Sequence, residues 1–568
     1  MGDPAGDSNR DRERGSRDPR EGGPAAPPDG RGTPRATDSG GALIRALLDS
    51  GRDAGLARPV DLIETHISWV LLAGEHAYKI KKPLSLGFLD FASLEARRHF
   101  CEEEVRLNRR LAPELYLGVV PITGSPDAPV VGGTGRAIEY AVRMKRFRTG
   151  DELDRRIDRD PPDARSFIRF AARIAAFHAA APRAAPGSGW GSPEEILAHS
   201  LDNFALIDDT GSGSAPDLDA EPLAELRTWT QHTFDRLRSV FSRRRERGFV
   251  RECHGDLHLA NLVCVGEDIV AFDAIEFNPG LRWIDVISEV AFTVMDLNRH
   301  RRPDLAQRFL DGWLAASGDY AGLRLLPFYL VYRAMVRAKV GSIRWSQSET
   351  DAERDALARE LRELVAVARG SIRPRTCCLV ITHGVSGSGK SHLADGLIAA
   401  GDWIRIRSDV ERKRLAGLPP DARRAGSPET GLYGPASTEA TYARLAQLAR
   451  VVLDAGYPVL VDATFLGKAQ RNAFRSLAGS LGVPFGIVGT EAAPEVMERR
   501  IRARAARGED PSDATVPVLH AQLASIEALD DAELDCSVIV DTSVEADAAA
   551  VSARIRRVAR VPDHKGPD

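Results

Sequence analysis

Residues 384–391 read GVSGSGKS, which matches the pattern G-x-x-x-x-G-K-S. The apolar run CCLVIT at residues 377–382 predicts a strand before this loop, and residues 391–400 predict a helix after it. Glycines let backbone N–H groups converge on phosphate oxygens, and the start of the helix adds a favourable dipole. The strand–loop–helix context therefore predicts a nucleotide-phosphate site.

The loop also predicts which of its residues bind nucleotide. Lys390 is expected to reach the β- and γ-phosphates of ATP, and Ser391 to bind Mg²⁺ through its hydroxyl. The other expected nucleotide-binding positions are Gly384, Ser386, Gly387, Ser388 and Gly389.

Strands and helices alternate around this loop. Residues 457–462 predict an apolar strand, and residues 438–453, 467–477 and 494–506 predict helices. Because strands that alternate with helices form parallel sheets, the second half of the chain is predicted to be an α/β unit with a parallel sheet.

A carboxylate and an arginine follow a predicted strand in this half. Residues 404–415 read IRIRSDVERKRL, with Asp409 and Arg412 three positions apart. This segment, together with the loop, resembles AAA-type P-loop kinases of the polynucleotide, gluconate and zeta-toxin groups. The resemblance covers about residues 376–530. It implies that Asp409 orients a substrate hydroxyl and that Arg412 holds the substrate.

Two further positions extend this resemblance. The strand in YPVLVDATF ends at Asp462, which resembles a Walker B position and is an expected metal ligand. Arg500 and Arg504 lie one turn apart on one face of a predicted helix. They resemble the lid arginines that neutralise charge on a transferring phosphoryl group. Arginine-rich helices and strand-end carboxylates also occur as solvated faces and turns, so these positions carry less weight than the loop.

A second group of polar residues lies nearer the N-terminus. Residues 252–263 read ECHGDLHLANLV, and residues 269–278 read IVAFDAIEFN. Phosphoryl transfer needs one carboxylate for the acceptor hydroxyl, and an amide oxygen and a second carboxylate for Mg²⁺. Asp256 suits the first role, Asn261 and Asp273 suit the second, and His254 is expected to fix the loop through hydrogen bonds.

The motif HGDLHLANL resembles the catalytic loop of the aminoglycoside phosphotransferase and choline kinase group, which shares the protein-kinase fold. The resemblance covers about residues 60–345 and implies that Asp256 is the catalytic aspartate and that Asn261 and Asp273 are metal ligands. Asp273 stands in D-A-I rather than D-F-G, and no G-x-G-x-x-G precedes Lys79 or Lys81, the candidate ATP lysines. Both departures favour a small-molecule kinase over a protein kinase.

That fold requires a lysine on a strand of the N-terminal lobe, paired with a glutamate on a helix. The segment HAYKIKKP offers Lys79 and Lys81 on the same face of a strand, and Lys79 is favoured. Glu104, in CEEEVRLNRRL, is the expected partner. A solvated face is the competing interpretation, and the roles of Glu276 and Asp285 stay open.

The chain has 568 residues and a formal net charge of −4, so it holds several domains and carries no overall basic field for nucleic acid. Residues 1–40 contain no Leu, Ile, Val, Phe, Tyr or Trp and are predicted to be a disordered tail. The predicted units are a two-lobed α+β kinase-like domain at 41–370, a linker at 371–376 and the P-loop domain at 377–568. With neither a secretory signal nor an apolar span in the sequence, a cytoplasmic location is predicted.

Together these patterns predict a bifunctional ATP- and Mg²⁺-dependent phosphotransferase whose two domains act on hydroxyls of small molecules. One alternative is an ATP-sensing regulator in which one domain does not turn over. Another is a nucleic-acid end kinase in the second domain, which the net charge disfavours. The acceptors and the oligomeric state are not predicted.

Overall fold

The computed structural model of the chain describes residues 38–50, 54–86, 89–148, 150–210, 220–419, 422, 432, 434–507 and 514–559. The tail predicted at residues 1–40 lies outside these residues up to position 37. Residues 38–40 contradict that boundary, because they begin helix α1 (Asp38–Ser50). The helix forms because Leu43, Ile44 and Leu47 bury one apolar face on the small lobe.

A six-stranded antiparallel sheet forms the small lobe of the first unit. His66–Ala73 and His76–Lys82 are predicted from the sequence as two strands joined at Gly74–Glu75, and this hairpin is present, with Gly74 at φ 58° in its turn. The strands are β1 (Val60–Glu64), β2 (Ser68–Ala73), β3 (His76–Lys81), β6 (Tyr116–Ser125), β7 (Ala128–Val131) and β8 (Ala137–Lys145), with a separate short hairpin of β4 (Ser85–Leu86) and β5 (Leu89–Asp90). The sheet order is β1-β2-β3-β8-β6-β7. Helix α2 (Leu94–Asn108), which Ser93 caps by accepting from the Ala96 N–H, packs against β6 and β8.

The larger lobe of the first unit is mainly helical. Its helices are α3 (Leu153–Arg156), α4 (Ala164–Ala180), α5 (Pro193–Thr210), α6 (Ala220–Glu246), α7 (Pro279–Arg282), α8 (Val286–Arg299), α9 (Pro303–Ser317), α10 (Leu326–Gln347) and α11 (Asp351–Ser371). Two short antiparallel pairs join β9 (Val250–Glu252) to β12 (Trp283–Asp285) and β10 (Leu262–Val265) to β11 (Asp268–Ala271).

One segment of this lobe differs from its prediction. The richness of residues 182–222 in Gly, Pro, Ser and Asp predicts a surface excursion. Helix α5 occupies part of this stretch and buries Phe204 and Ile207. Pro193 suits the first turn of a helix, and Glu194 and Glu195 favour its positive N-terminal end. The average composition of residues 182–222 does not reflect these local helix-start signals.

The second unit is a five-stranded parallel sheet with helices on its faces. Its strands are β13 (Leu379–His383), β14 (Ile404–Arg407), β15 (Val459–Asp462), β16 (Phe485–Glu491) and β17 (Ser537–Asp541), in the order β14-β15-β13-β16-β17. Its helices are α12 (Lys390–Ala399), α13 (Ser408–Leu415), α14 (Pro435–Asp454), α15 (Lys468–Ser480), α16 (Pro494–Arg507), α17 (Val516–Ser525), α18 (Asp531–Leu534) and α19 (Ala548–Val558). The predicted fold class, a two-lobed α+β unit followed by a parallel α/β unit, is confirmed.

The two units share a buried interface beyond the chain connection at residues 372–378. Arg405 of β14 is 5% exposed and pairs with Asp311 of α9 at 2.6 Å. The Tyr320 hydroxyl donates to the backbone carbonyl of Arg405 at 3.3 Å. Arg414 of α13 donates to the Ala315 carbonyl at the end of α9. The edge strand of the second sheet therefore rests on the first unit.

Across the described residues, every helix is too short or too polar to cross a membrane.

Candidate functional sites

The two candidate lysines of the small lobe share one glutamate. Lys79 Nζ lies 3.0 Å from Glu104 Oε1 and forms an ion pair with Asp273. Lys81 Nζ lies 2.7 Å from Glu104 Oε2 and forms an ion pair with Glu276. Their alternation along β3 puts both on one sheet face, so only their depth distinguishes them. Lys79 is the one beside Asp273.

Lys81 occupies a different environment from Lys79. Its side chain is fully buried, 5.0 Å from the centre of the Phe91 ring. Burial opposes ionisation of Glu104, but Lys79 and Lys81 outweigh it and lower the pKa of that carboxyl to about 2. Burial raises the pKa of Glu276 despite its contact with Lys81. The solvated-face interpretation of this lysine–glutamate set is therefore wrong.

The loop after β9 brings Asp256 and Asn261 together. Asn261 Nδ2 donates to Asp256 Oδ2 at 2.9 Å and to the Asp256 carbonyl at 3.0 Å. His258 Nε2 lies 3.2 Å from Asp256 Oδ2. Burial by itself disfavours the Asp256 carboxylate, but His258 and Arg337 hold its pKa well below its usual range. Asp256 is therefore ionised at neutral pH and is better suited to orient a hydroxyl than to act as a strong base.

His254 fixes this loop from behind. Its Nε2 lies 2.9 Å from the Phe272 carbonyl, which connects the loop to the segment carrying Asp273. Glu289 Oε1 accepts from the backbone N–H groups of His254 at 2.7 Å and Gly255 at 2.8 Å. Burial lowers the pKa of His254, which favours the neutral ring. His254 thus contacts the loop framework, as the sequence predicted, and not Asp256 Oδ2.

Asp273 adopts an unusual backbone conformation. Its φ is 62°, in the left-handed region that non-glycine residues rarely occupy. The small lobe supports this turn. The Tyr116 hydroxyl accepts from the Asp273 N–H at 3.0 Å, and Asn108 Oδ1 accepts from the Ala274 N–H at 2.9 Å. The strained turn leaves the Asp273 side chain 41% exposed beside Lys79.

The donor set of the first site suits a hard divalent cation. Because Asn261 uses its Nδ2 to contact Asp256, its Oδ1 is left as a ligand atom, and Asp273 adds an accessible carboxylate. Magnesium binds through oxygen ligands of this kind and keeps several waters.

Asp285, whose role the sequence leaves undecided, has a structural position. It pairs with buried Arg244 at 2.7 Å and caps helix α8.

The predicted phosphate-binding loop lies between β13 and α12. Gly387 and Gly389 have φ values of 82° and 94°, which favour glycine. A Cβ at Gly389 would lie 2.7 Å from Thr542 Oγ1, and one at Gly387 would lie 2.8 Å from the Met497 carbonyl. Both backbone conformation and close packing therefore require glycine at these positions.

A backbone carbonyl of the loop holds the Lys390 side chain. Its Nζ donates to the Val385 carbonyl at 2.7 Å. Burial lowers the pKa of Lys390 to about 8, against the opposing effects of Asp462 and Asp409. The nearby carboxylates only partly offset the burial of the Lys390 ammonium group, so a bound anion would stabilise its charge.

A cavity of about 570 Å³ opens over this loop. Ser391 Oγ lies 3.5 Å from Asp462 Oδ1, and the buried Asp462 Oδ2 accepts no hydrogen bond from the described residues. A carboxylate oxygen left without a donor beside a serine hydroxyl suits Mg²⁺. Arg407 Nε lies 3.8 Å from Asp462 Oδ2.

The remaining predicted residues also border this cavity. Asp409 and Arg412 line it from α13, and Arg500 and Arg504 line it from α16. The two α16 arginines have different contacts. Arg500 donates to Thr542 Oγ1 at 2.9 Å, whereas Arg504 donates to the Ala514 carbonyl at 3.2 Å. Arg500 also donates to the Gly387 carbonyl of the loop at 3.4 Å.

Sequence reasoning missed several residues of both sites. His258, Glu289 and Tyr116 support the first site, and Gln522 contacts the loop of the second. Only His258 lay inside a quoted motif, two residues after Asp256. The other three are distant along the chain and had no local signal.

Comparison with known proteins gives matches to both halves. The family described as "AAA domain" matches residues 379–529. The uncharacterized protein Rv2004c of Mycobacterium tuberculosis is 31% identical over 488 residues, covering 85% of this chain and 92% of that protein. The uncharacterized protein Mb2027c of Mycobacterium bovis matches with the same values.

Solved structures match each unit separately. A gluconokinase from Sinorhizobium meliloti 1021 is 21% identical and covers 33% of this chain and 95% of its own, with a TM-score of 0.24. A choline/ethanolamine kinase family protein from Mesorhizobium loti is 14% identical and covers 58% of this chain and 98% of its own, with a TM-score of 0.32.

Proposed function

We propose that this chain, which belongs to the family of the mycobacterial proteins Rv2004c and Mb2027c, transfers the γ-phosphoryl group of ATP to hydroxyl acceptors at two sites. One observation carries the proposal: each unit combines a buried lysine with one carboxylate suited to a metal and another suited to an acceptor. In the first unit these are Lys79, Asp273 and Asp256. In the second, Lys390, Asp462 and Asp409 border one cavity.

In the first unit, the residues act mainly by position and charge. Lys79, held by Glu104, neutralises phosphate charge on the nucleotide. Asp256 accepts a hydrogen bond from the acceptor hydroxyl and directs its oxygen toward the phosphorus. Asn261 and Asp273 would hold Mg²⁺, which supplies charge neutralisation on the phosphates when bound. The low pKa of Asp256 favours this orienting role.

In the second unit, the loop amides and Lys390 bind the phosphates. Ser391 and Asp462 would hold Mg²⁺. Asp409 orients the acceptor hydroxyl and Arg412 holds the acceptor, while Arg500 and Arg504 offset charge on the transferring group. Small-molecule acceptors are proposed for both units. A cytoplasmic enzyme is also proposed, since all six cysteines are free thiols.

The proposal is tested by a metabolite screen with ATP labelled on its γ-phosphate. Wild type, Asp256→Asn and Lys390→Ala proteins are compared side by side. We expect one labelled product to disappear in Asp256→Asn and a different one in Lys390→Ala. A product that needs both residues would mean one integrated reaction. Absence of transfer to any acceptor, with two nucleotides still bound, would favour the regulator instead.

A further inference from the structure

Helix α17 is attached to the phosphate-binding loop by a small separate cluster. Leu519, its buried apolar residue, packs with Val385 of the loop and with Met497 and Ile501 of α16. This cluster is distinct from the main cores on either side of the parallel sheet. Helix α17 is therefore anchored to the loop and to α16 rather than to the sheet.

One side chain of α17 contacts the loop directly. The Ser386 N–H donates to Gln522 Oε1 at 2.7 Å, and Gln522 lines the cavity that also contains Lys390 and Asp462. Backbone N–H groups of such loops bind phosphate oxygens. Gln522 thus takes the place of a phosphate oxygen at one loop amide, and its own Nε2 group has no acceptor among the described residues.

We propose that Gln522 is a nucleotide-contacting residue that favours triphosphate over diphosphate nucleotide at the second site. Its Oε1 holds the Ser386 N–H, and its Nε2 group donates to an oxygen of the γ-phosphate. ADP lacks that oxygen, so only ATP gains the contact. This inference rests on the proposed function of the second unit and adds a selectivity residue from outside the loop.

The test uses the full chain and measures binding of ADP and of a non-hydrolysable ATP analogue, both with Mg²⁺, by calorimetry. The binding component lost in Lys390→Ala defines the second site. In Gln522→Leu we expect that component to weaken about tenfold or more for the ATP analogue, the size of one hydrogen bond to a charged group. ADP binding should change by less than about twofold, because no contact to it is lost.

Gln522→Glu separates this role from a structural one. The carboxylate still accepts from the Ser386 N–H, but it repels the γ-phosphate, so ATP-analogue binding should fall at least as far as in Gln522→Leu. His520→Ala is the matched control, because His520 lies on the same helix and contacts Glu498 instead. We expect it to bind both nucleotides as wild type does.

Two results would overturn the inference. If Gln522→Glu keeps wild-type affinity for the ATP analogue, or if Gln522→Leu weakens both nucleotides equally, the side chain only shapes the loop. In either case, a binding component that disappears in Lys390→Ala would still support the proposed nucleotide site of the second unit. If instead Lys390→Ala removes no binding component, the proposed function of the second unit falls, and the role of Gln522 falls with it.

Discussion

Removal of the Asp311 carboxylate should destabilise the interface between the two units. Arg405 is 5% exposed and its charge is held by Asp311 at 2.6 Å and by Asp395 at 2.6 Å. Removing one partner of a buried pair typically costs about 3–5 kcal/mol, because an uncompensated charge stays buried. Asp395 remains as a partner but its side chain is 43% exposed, so we expect about 3 kcal/mol for Asp311→Ala.

Chemical denaturation of the full chain measures this loss. Tryptophan fluorescence is a suitable signal, because each unit has a buried tryptophan, Trp313 on α9 in the first and Trp403 just before β14 in the second. Since a chain of two units need not unfold in one step, each transition is fitted separately. Glu225→Ala is the matched control, because Glu225 pairs with Arg369 at 2.9 Å with both side chains about half exposed. Such pairs contribute about 0–1 kcal/mol.

A double variant tests whether the uncompensated Arg405 charge causes the loss of stability in Asp311→Ala. Asp311→Ala combined with Arg405→Met removes both partners, so it should recover at least half of the loss seen in Asp311→Ala. An uncompensated Arg405 charge is not the cause if Asp311→Ala costs no more than Glu225→Ala, or if the double variant is less stable than the single one.

Other predictions concern the two sites. Asp256→Asn should abolish transfer by the first unit and leave nucleotide affinity intact, whereas Asp273→Ala should weaken Mg²⁺-ATP binding; identical binding defects by calorimetry would contradict these separate roles. Because burial lowers the pKa of Lys390 from 10.5 to about 8, the unfolded chain binds more protons at this residue in that window, so the contribution of Lys390 to stability without nucleotide should rise from about pH 8 to 10.5. This rise, at most about 1.4 kcal/mol per pH unit, is measured as the difference between the melting curves of wild type and Lys390→Met, because buried thiols such as Cys101 and Cys378 also titrate at alkaline pH in both proteins. Without acceptor, hydrolysis of ATP should be slow; rapid hydrolysis that is unchanged in Asp409→Ala would point to an ATPase.

Local motifs made much of both sites predictable. The GVSGSGKS loop and the HGDLHLANL loop each contain several site residues within a few positions. The spacing of these residues in the sequence therefore predicts that they lie close together in one loop. Strand alternation also placed Lys79 and Lys81 on one face. It could not distinguish them, because depth in the lobe depends on where α2 crosses the sheet. That crossing is a tertiary feature, and Glu104 in fact contacts both lysines.

Long-range contacts were beyond the reach of the sequence. Gln522 is 136 residues from Ser386, and Tyr116 is 157 residues from Asp273. Arg405 was part of an ordinary strand pattern, IRIR, with no sign that its partner lies on α9. The packing of helices and strands brings such residues together. Sequence periodicity predicts only the individual helices and strands, so it cannot identify these contacts.

The contact between Tyr320 and the edge strand also has a consequence for biosynthesis. Exposed strand edges are templates for pairing with other chains, and β14 is an edge of its sheet. Its cover, the segment around Asp311 and Tyr320, lies upstream and leaves the ribosome first, and N-terminal domains generally fold first during synthesis. We therefore expect a folded surface carrying the Tyr320 hydrogen-bond donor to be present when β14 emerges. On this expectation, the order of the two units along the chain protects the edge of the later sheet from pairing with other chains while it forms.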